Sequence, residues 1–355
     1  MENIFPNNLP DIKDMTLAEC EAFVADMGSP RYRATQMFRW LHKQQARNFG
    51  EMTNIAQKFR QEIALRARIS IVEIAHVLEA SDGTRKLLFK LEDGNYVEGV
   101  LIPGRNHFTA CLSTQVGCRM GCTFCLTGKM GFKRNLRPGE IVSQASALLH
   151  FHPDISCGNI VMMGMGEPLD NYDNIIAALK IITSEFGLSF SAQKITISTC
   201  GIIPQIARLG KAFPVNLAVS LNAANDEMRT KLMPINKKYP LKELLAVCKD
   251  YPMPARRMIT FEYILIGGIN DSLEDAKKLS SLLREIRCKI NLIVWNAIPD
   301  FPFASPSQEK VEAFQKEMIR NKYTAIIRAS KGSEIMAACG QLGRAKQQTM
   351  SLIEA

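Results

Sequence analysis

"HFTACLSTQVGCRMGCTFC", His107 to Cys125, is the stretch on which the fold reading turns. It opens as a strand, HFTACLS, and continues as a loop carrying Cys118, Cys122 and Cys125 at C-x3-C-x2-C spacing. A further cysteine, Cys111, sits on the strand itself. Sites of α/β folds gather at the C-terminal ends of parallel strands, where this loop would lie. Three thiolates can hold a [4Fe–4S] cluster by three of its irons, leaving the fourth open to a substrate. Structural zinc sites take four ligands, usually as C-x2-C pairs. A zinc site completed by a distant Cys or His is the alternative.

Downstream of this stretch the pattern is strand-helix alternation. HFTACLS, NIVMMGMG, KITISTC, VNLAVSL, MITFEYIL and INLIVW read as strands, separated by helical runs such as PGEIVSQASALLHF, NIIAALKIITSEF and LEDAKKLSSLLREI. Six βα units in a row predict parallel strands with helical crossovers, as an open sheet or a partial barrel. AIIRAS and a short helix close the unit, and the tail beyond Gly343 is polar. Upstream, LAECEAFVADMG, RATQMFRWLHKQ and AQKFRQEIALRARI carry helical periodicity, the first stopping at Gly28-Ser29-Pro30. ISIVEIAHVLEA, RKLLFKLE and NYVEGVLIP follow, with turns at Asp82-Gly83 and Asp93-Gly94 that signal hairpins. The chain therefore divides into an N-terminal helical unit (1–68), a β-hairpin extension (69–103), an α/β core (104–345) and a tail (346–355).

The 355 residues are 46% hydrophobic and 22% charged, as in an ordinary globular protein. No apolar run approaches the roughly 18 residues needed to span a bilayer. The N-terminal MENIFPNNLPDIKDM has no apolar signal-peptide core, so a cytoplasmic location and no membrane partner are expected. In that compartment ten cysteines are ligands, catalysts or core filler rather than bridges. The net charge is +9. Basic residues crowd Arg31, Arg33, Arg39, Lys43 and Arg47, and again Lys129, Lys133, Arg134 and Arg137 beside the cysteine loop. Each run taken alone suits a solvated helix face as well as a phosphate backbone. Their place beside a reactive centre favours nucleic acid.

CRMGCTFCLTGKMGFKRNL, MGMGEPLDN, ISTCGIIP, KLMPINKKYP, FEYILIGGINDS, INLIVWNAIP and AACGQL stand in this order along the chain. With Phe124 before the last loop cysteine, they resemble the radical S-adenosylmethionine (SAM) superfamily and, within it, the RlmN/Cfr family of RNA adenine methyltransferases. The likeness spans roughly residues 20 to 345. It implies a partial (β/α)6 radical SAM barrel, a [4Fe–4S] cluster on Cys118, Cys122 and Cys125, and two SAM molecules per turnover. SAM contacts would come from Gly166, Glu167, Ser198, Ser220, Leu221, Asn222 and Asn296, most at successive strand ends. A carboxylate at Glu167 suits the SAM ammonium. Asn222 departs from the family, where His is common. The implied partners are 23S rRNA and tRNA, with an electron donor such as flavodoxin or ferredoxin, and the enzyme would be a monomer.

The resemblance also gives work to cysteines outside the cluster. An adenine ring carbon is not a nucleophile, so simple displacement on SAM cannot methylate it. Cys339 in AACGQL would accept a methyl group, be activated by loss of hydrogen to a SAM-derived radical, and bond to the adenine. Glu98 would accept the ring proton. Cys111 would attack the Cys339 sulfur, freeing the product and leaving a disulfide. Without the resemblance, Cys339 reads as a small apolar residue on a helix, Cys111 as core, and Glu98 as a solvent-facing strand residue. The family's C2 and C8 branches differ at the proline of GEPL, and Pro168 points to C2. A metal-containing protein that only binds RNA is the alternative from another class. Cys20, Cys157, Cys200, Cys248 and Cys288 read as packing.

Overall fold

The computed structural model describes residues 9–151, 157–253 and 256–343. The N-terminal helices form where the periodicity places them. α1 (Leu17–Asp26) starts at a capping box, with Thr16 N and the Glu19 carboxylate 2.7 Å apart. α2 (Tyr32–His42) turns Met37, Phe38 and Leu41 inward, and α3 (Gln57–Ala64) adds Phe59 and Ile63 to the same core. The last helix is shorter than its apolar pattern, which runs on into a turn.

β1 (Glu73–Glu79), β2 (Arg85–Lys90) and β3 (Tyr96–Pro103) pair antiparallel across the two Asp-Gly turns. At those turns Asp82 Oδ1 accepts from Thr84 N at 2.9 Å and Asp93 Oδ1 from Asn95 N at 3.1 Å. β3 then pairs antiparallel with β4 (Phe108–Cys111), so the hairpins belong to the main sheet rather than standing apart from it.

The rest of the chain winds through β5 (Gln115–Gly117), α4 (Leu126–Lys129), β6 (Phe132–Asn135), α5 (Pro138–Leu149), β7 (Cys157–Met162), α6 (Tyr172–Thr183) and β8 (Ile195–Thr199). It continues through α7 (Ile203–Ala212), β9 (Asn216–Ser220), α8 (Asp226–Leu232), α9 (Leu241–Lys249) and β10 (Ile259–Leu265). α10 (Leu273–Leu282), β11 (Cys288–Val294), α11 (Gln308–Arg320) and β12 (Thr324–Arg328) complete it. One ten-stranded sheet runs β1-β2-β3-β4-β7-β8-β9-β10-β11-β12, and every ladder from β4 onward is parallel. The six expected strands are β4 and β7 to β11, and AIIRAS supplies a further parallel strand, β12. All seven residues of β10 are buried, as helices on one face and the barrel interior on the other require. After β12 the expected short helix is a single 3-10 turn, Ser333–Ile335. The tail beyond Gly343 lies outside the described residues. No helix of the described residues is long and apolar enough to cross a membrane.

Candidate active site

The loop after β4 is shaped by a two-stranded ribbon, β5 against β6. Gly117 closes it with φ +77°, and a Cβ there would stand 1.9 Å from Gly131 O. Cys118 N donates to that same carbonyl at 2.9 Å. Thr123 N donates to Leu232 O at 3.0 Å, tying the loop to the end of α8, and Trp295 Nε1 reaches Phe124 O at 3.3 Å. Cys118, Cys122 and Cys125 are all half-buried. Burial pushes each thiol up, Cys118 to about 12, and charge on Cys125 and Cys118 would raise Cys122 further. Three thiols so placed can ionise together only around a cationic body, so the donor set fits an iron–sulfur cluster. Among the described residues, no group of three or more His, Cys, Asp or Glu is gathered for a single metal ion. Cys200, which the sequence presents as packing, lies in the same setting. Its thiol is raised well above the ordinary range by burial and then by Glu167 and Cys122.

The strand ends expected to hold SAM adjoin this loop, and the structure shows how each is occupied. Gly166 has φ +100°, and a Cβ there would meet Gln115 Cβ at 2.6 Å. The Glu167 carboxylate is buried and accepts from Leu169 N at 3.0 Å and Cys200 N at 2.8 Å, joining the ends of β7 and β8. Burial raises its pKa while those N–H groups pull it down. Lone pairs remain for a cationic ligand. Ser198 and Ser220 are half-buried at the ends of β8 and β9. Leu221 is fully buried, with its N–H on Glu262 O and its carbonyl on Arg229. Asn222 is left-handed (φ 58°), and its amide is committed, Oδ1 to Ile264 N at 2.9 Å and Nδ2 to Met233 Sδ at 3.2 Å. Its side chain therefore binds β9 to β10. Asn296 Nδ2 donates to Cys339 O at 3.3 Å.

Sequence reading missed Arg229. It is fully buried and donates to Cys200 O (2.6 Å), Ser220 O (3.2 Å) and Leu221 O (3.2 Å), as well as Asn236 Oδ1 (2.9 Å). One guanidinium thus gathers the ends of β8 and β9. The only signal available was its place just ahead of KLMPIN.

Cys339 lies in an exposed turn rather than on a helix. Its loop is fastened to the cluster loop, since Leu126 N donates to Gly340 O at 2.8 Å and Thr127 Oγ1 to Leu342 O at 2.6 Å. It is fastened also to the hairpin. Gly332 N donates to Asp82 Oδ2 at 3.0 Å, and Ser81 bonds to Glu334. Glu98 is buried, not solvent-facing, and its Oε2 accepts from Gly343 N at 2.7 Å. Lys86 Nζ, a second residue sequence reading missed, stands 3.3 Å from Glu98 Oε1 and 3.2 Å from Met336 O. Cys111 is buried. Desolvation and then charge on Cys339 push its thiol up to about 12.

The basic run after the loop is not a free surface. Arg134 is paired with Asp93 (2.6 Å) and Glu140 (2.8 Å), and Arg137 with Asp11 (2.7 Å), Asp14 (2.8 Å) and Glu92 (3.2 Å). These arginines join the N-terminal unit, the β2–β3 turn and α5, which corrects the expectation that they contact phosphates. Lys133 bonds Asn95 at 3.0 Å, and Lys129 lies over the Phe301 ring at 3.6 Å.

A parallel barrel with three cysteines in the loop after its first parallel strand defines a radical SAM protein, and a family model described as the radical SAM superfamily matches residues 112–280. A model described as the ribosomal RNA large subunit methyltransferase N-terminal domain matches residues 10–69. The dual-specificity RNA methyltransferase RlmN of Syntrophus aciditrophicus (strain SB) is 53% identical over 345 residues, covering 97% of this chain and 99% of that protein. The protein of the same name from Geotalea uraniireducens (strain Rf4) is 51% identical over 94% of this chain and 96% of its own length. A crystal structure of a radical SAM methyltransferase from Sphaerobacter thermophilus matches with a TM-score of 0.89 at 42% identity, covering 95% of this chain and 100% of that one. The chain belongs to the RlmN family of radical SAM methyltransferases. Its cofactors are accordingly a [4Fe–4S] cluster and SAM.

Proposed function

We propose that this enzyme methylates C2 of an adenine in 23S rRNA, at the peptidyl-transferase centre, and of an adenine beside the tRNA anticodon. The observation that carries the reading is the pair of hydrogen bonds from α4, Leu126 N to Gly340 O and Thr127 Oγ1 to Leu342 O, which hold the Cys339 loop against the loop of the three cysteines. The names of the relatives, dual-specificity RNA methyltransferases, support RNA as substrate. Cys118, Cys122 and Cys125 would hold the cluster, and Gly166, Glu167, Ser198, Ser220 and Asn296 would line the SAM site, with Leu221 and Asn222 shaping it from behind. When bound, the cluster supplies an electron that cleaves SAM and so provides a hydrogen-abstracting carbon radical. Cys339 carries the one-carbon unit to the ring through its sulfur. Glu98 takes the proton from the ring carbon, and the odd electron left by radical addition would return to the cluster that supplied one for SAM cleavage. Cys111, as thiolate, then attacks the Cys339 sulfur. The sulfur–carbon bond breaks with its electron pair on carbon, which takes a proton to become methyl, and the two sulfurs remain as a disulfide for an external thiol to reduce.

The same reading divides the chain into an RNA-binding helical unit (1–68), a hairpin extension (69–103) that shares the core's sheet, the catalytic core (104–345) and a tail (346–355). It takes the enzyme as a cytoplasmic monomer fed by flavodoxin or ferredoxin. The deciding experiment is mass spectrometry of 23S rRNA and tRNA from cells with and without the gene. Gene-dependent 2-methyladenine supports the proposal, 8-methyladenine moves the enzyme to the C8 branch, and neither product overturns methylation of these RNAs.

A further inference from the structure

The sheet register puts Lys86 where an ordinary strand would place an apolar residue. Lys86 lies directly opposite Val100, and Val100 directly opposite Cys111, so all three project from one face. Glu98, two residues from Val100 on β3, shares that face. The side chains of Lys86 and Glu98 are 4% and 1% exposed. An ammonium buried this deeply costs several kcal/mol unless it is paired and hydrogen-bonded. Lys86 meets that requirement in a particular way. Its Nζ spans Glu98 Oε1 at 3.3 Å and the Met336 carbonyl at 3.2 Å, three residues ahead of Cys339.

We infer that Lys86 is a positioning residue for the proton-transfer step, aiming the Glu98 carboxyl while anchoring the loop that carries Cys339. The inference deepens the reading above and rests on Glu98 being the proton acceptor. In the step itself the ring C–H bond breaks, its electron pair stays with the ring, and the proton goes to a Glu98 oxygen. Burial raises the Glu98 pKa above the ordinary carboxylate value, and among the described residues Lys86 is the charged group that opposes this rise. A base must be ionised to act, so the rate of proton loss rises with pH through the Glu98 pKa. Removing the Lys86 charge raises that pKa, which moves the rising limb to higher pH, by about one unit for an opposite charge this close.

The test uses the full chain carrying Cys111→Ala, so that titration of Cys111 does not intrude. The probe is 23S rRNA labelled with tritium at C2 of adenine. Tritium released to water, per adduct formed, is followed against pH. Adding Lys86→Met should slow release at least tenfold at neutral pH and shift the limb upward, while Lys86→Arg should restore most of both. If Lys86→Met does not fold, judged by melting and iron content, Lys86→Gln replaces it, keeping donors while removing charge. Release unchanged in rate and pH profile, with Glu98→Gln slow, overturns the role of Lys86 alone. Release at the parental rate in Glu98→Gln overturns the assignment of Glu98, and this inference with it.

Discussion

In the proposed mechanism, Cys111 is the residue on which turnover waits. Its thiol is buried and pushed up to about 12, so little thiolate exists at neutral pH. Cys111→Ala should therefore form the protein–RNA link and fail to release it, accumulating RNA tethered at Cys339. Cys339→Ala should form no link while still assembling its cluster. A denaturing gel with labelled RNA, followed by peptide mass spectrometry, reads both outcomes, and normal turnover by Cys111→Ala would remove that residue from the mechanism. In the enzyme with Cys111 intact, resolution of the link should accelerate about tenfold per pH unit between 7 and 9, following the thiolate fraction. A pH-independent rate in single-turnover quench experiments would mean that Cys111 is deprotonated by a neighbour. The spacing of the three loop cysteines marked them as candidate metal ligands, because metal ligation fixes ligand separation along the chain, while Phe124 and the strand context favoured a cluster over zinc. Cys339, Cys111 and Glu98 were legible only through the family motifs, since each by itself suits packing or a wet strand. Lys86 left no trace and Arg229 little beyond its place ahead of KLMPIN, because burial of a cation depends on partners distant in sequence.

At the scale of elements, the cysteine loop depends on the short ribbon beneath it. Gly117→Ala would set a Cβ against the Gly131 carbonyl at a residue whose φ is +77°. The ribbon must open, carrying Cys118 with it. We expect anaerobic reconstitution of this variant to load less than half the iron of the parent while far-ultraviolet circular dichroism stays native. Full iron loading would show that the ribbon does not position the ligand. The parallel strands were readable because burial on both faces turns them into apolar runs, as ITFEYIL in β10 shows. β5 and β6 are three and four residues long, too short for any period to register. The closing segment misled for a different reason. AACGQL has helix-forming residues, but Met336 and Gly340 adopt positive φ and the chain turns back to meet α4 and the hairpin.

At the scale of the molecule, the arginine-centred ion pairs bind the N-terminal unit, hairpin and core into one body. Arg134→Met should remove about 2–4 kcal/mol, because it strands the carboxylates of Asp93 and Glu140 with little water to replace the guanidinium. Differential scanning calorimetry would check this, and an unchanged Tm would contradict it. Burial alone would raise Asp93, but hydrogen bonds led by that of Arg134 hold it down at about 2. Its stabilising contribution is thus complete above the ordinary carboxylate pKa and lost as pH falls through about 2. The destabilisation caused by Asp93→Asn should accordingly shrink between pH 4 and 2 in denaturant titrations. We propose that RNA contacts fall instead on exposed cations of the helical unit. Reversing Lys43 and Arg47 together should weaken RNA binding about tenfold at moderate salt and flatten its salt dependence, as loss of phosphate contacts requires. Binding unchanged by that reversal would move the footprint off this unit. The order of the sheet carries one more consequence. Every strand of the main sheet lies beside the strand that precedes it along the chain, apart from the detour through the ribbon. A ribosome therefore delivers each strand next to an edge already waiting, and synthesis at about 5–20 residues per second can be matched by folding from the N-terminus. The cysteine triad emerges early and the Cys339 loop last, after β12 has closed the sheet. A nascent chain arrested just before Gly332 should already resist protease across the barrel, with its cysteine loop still uncovered by the segment that will later lie against it.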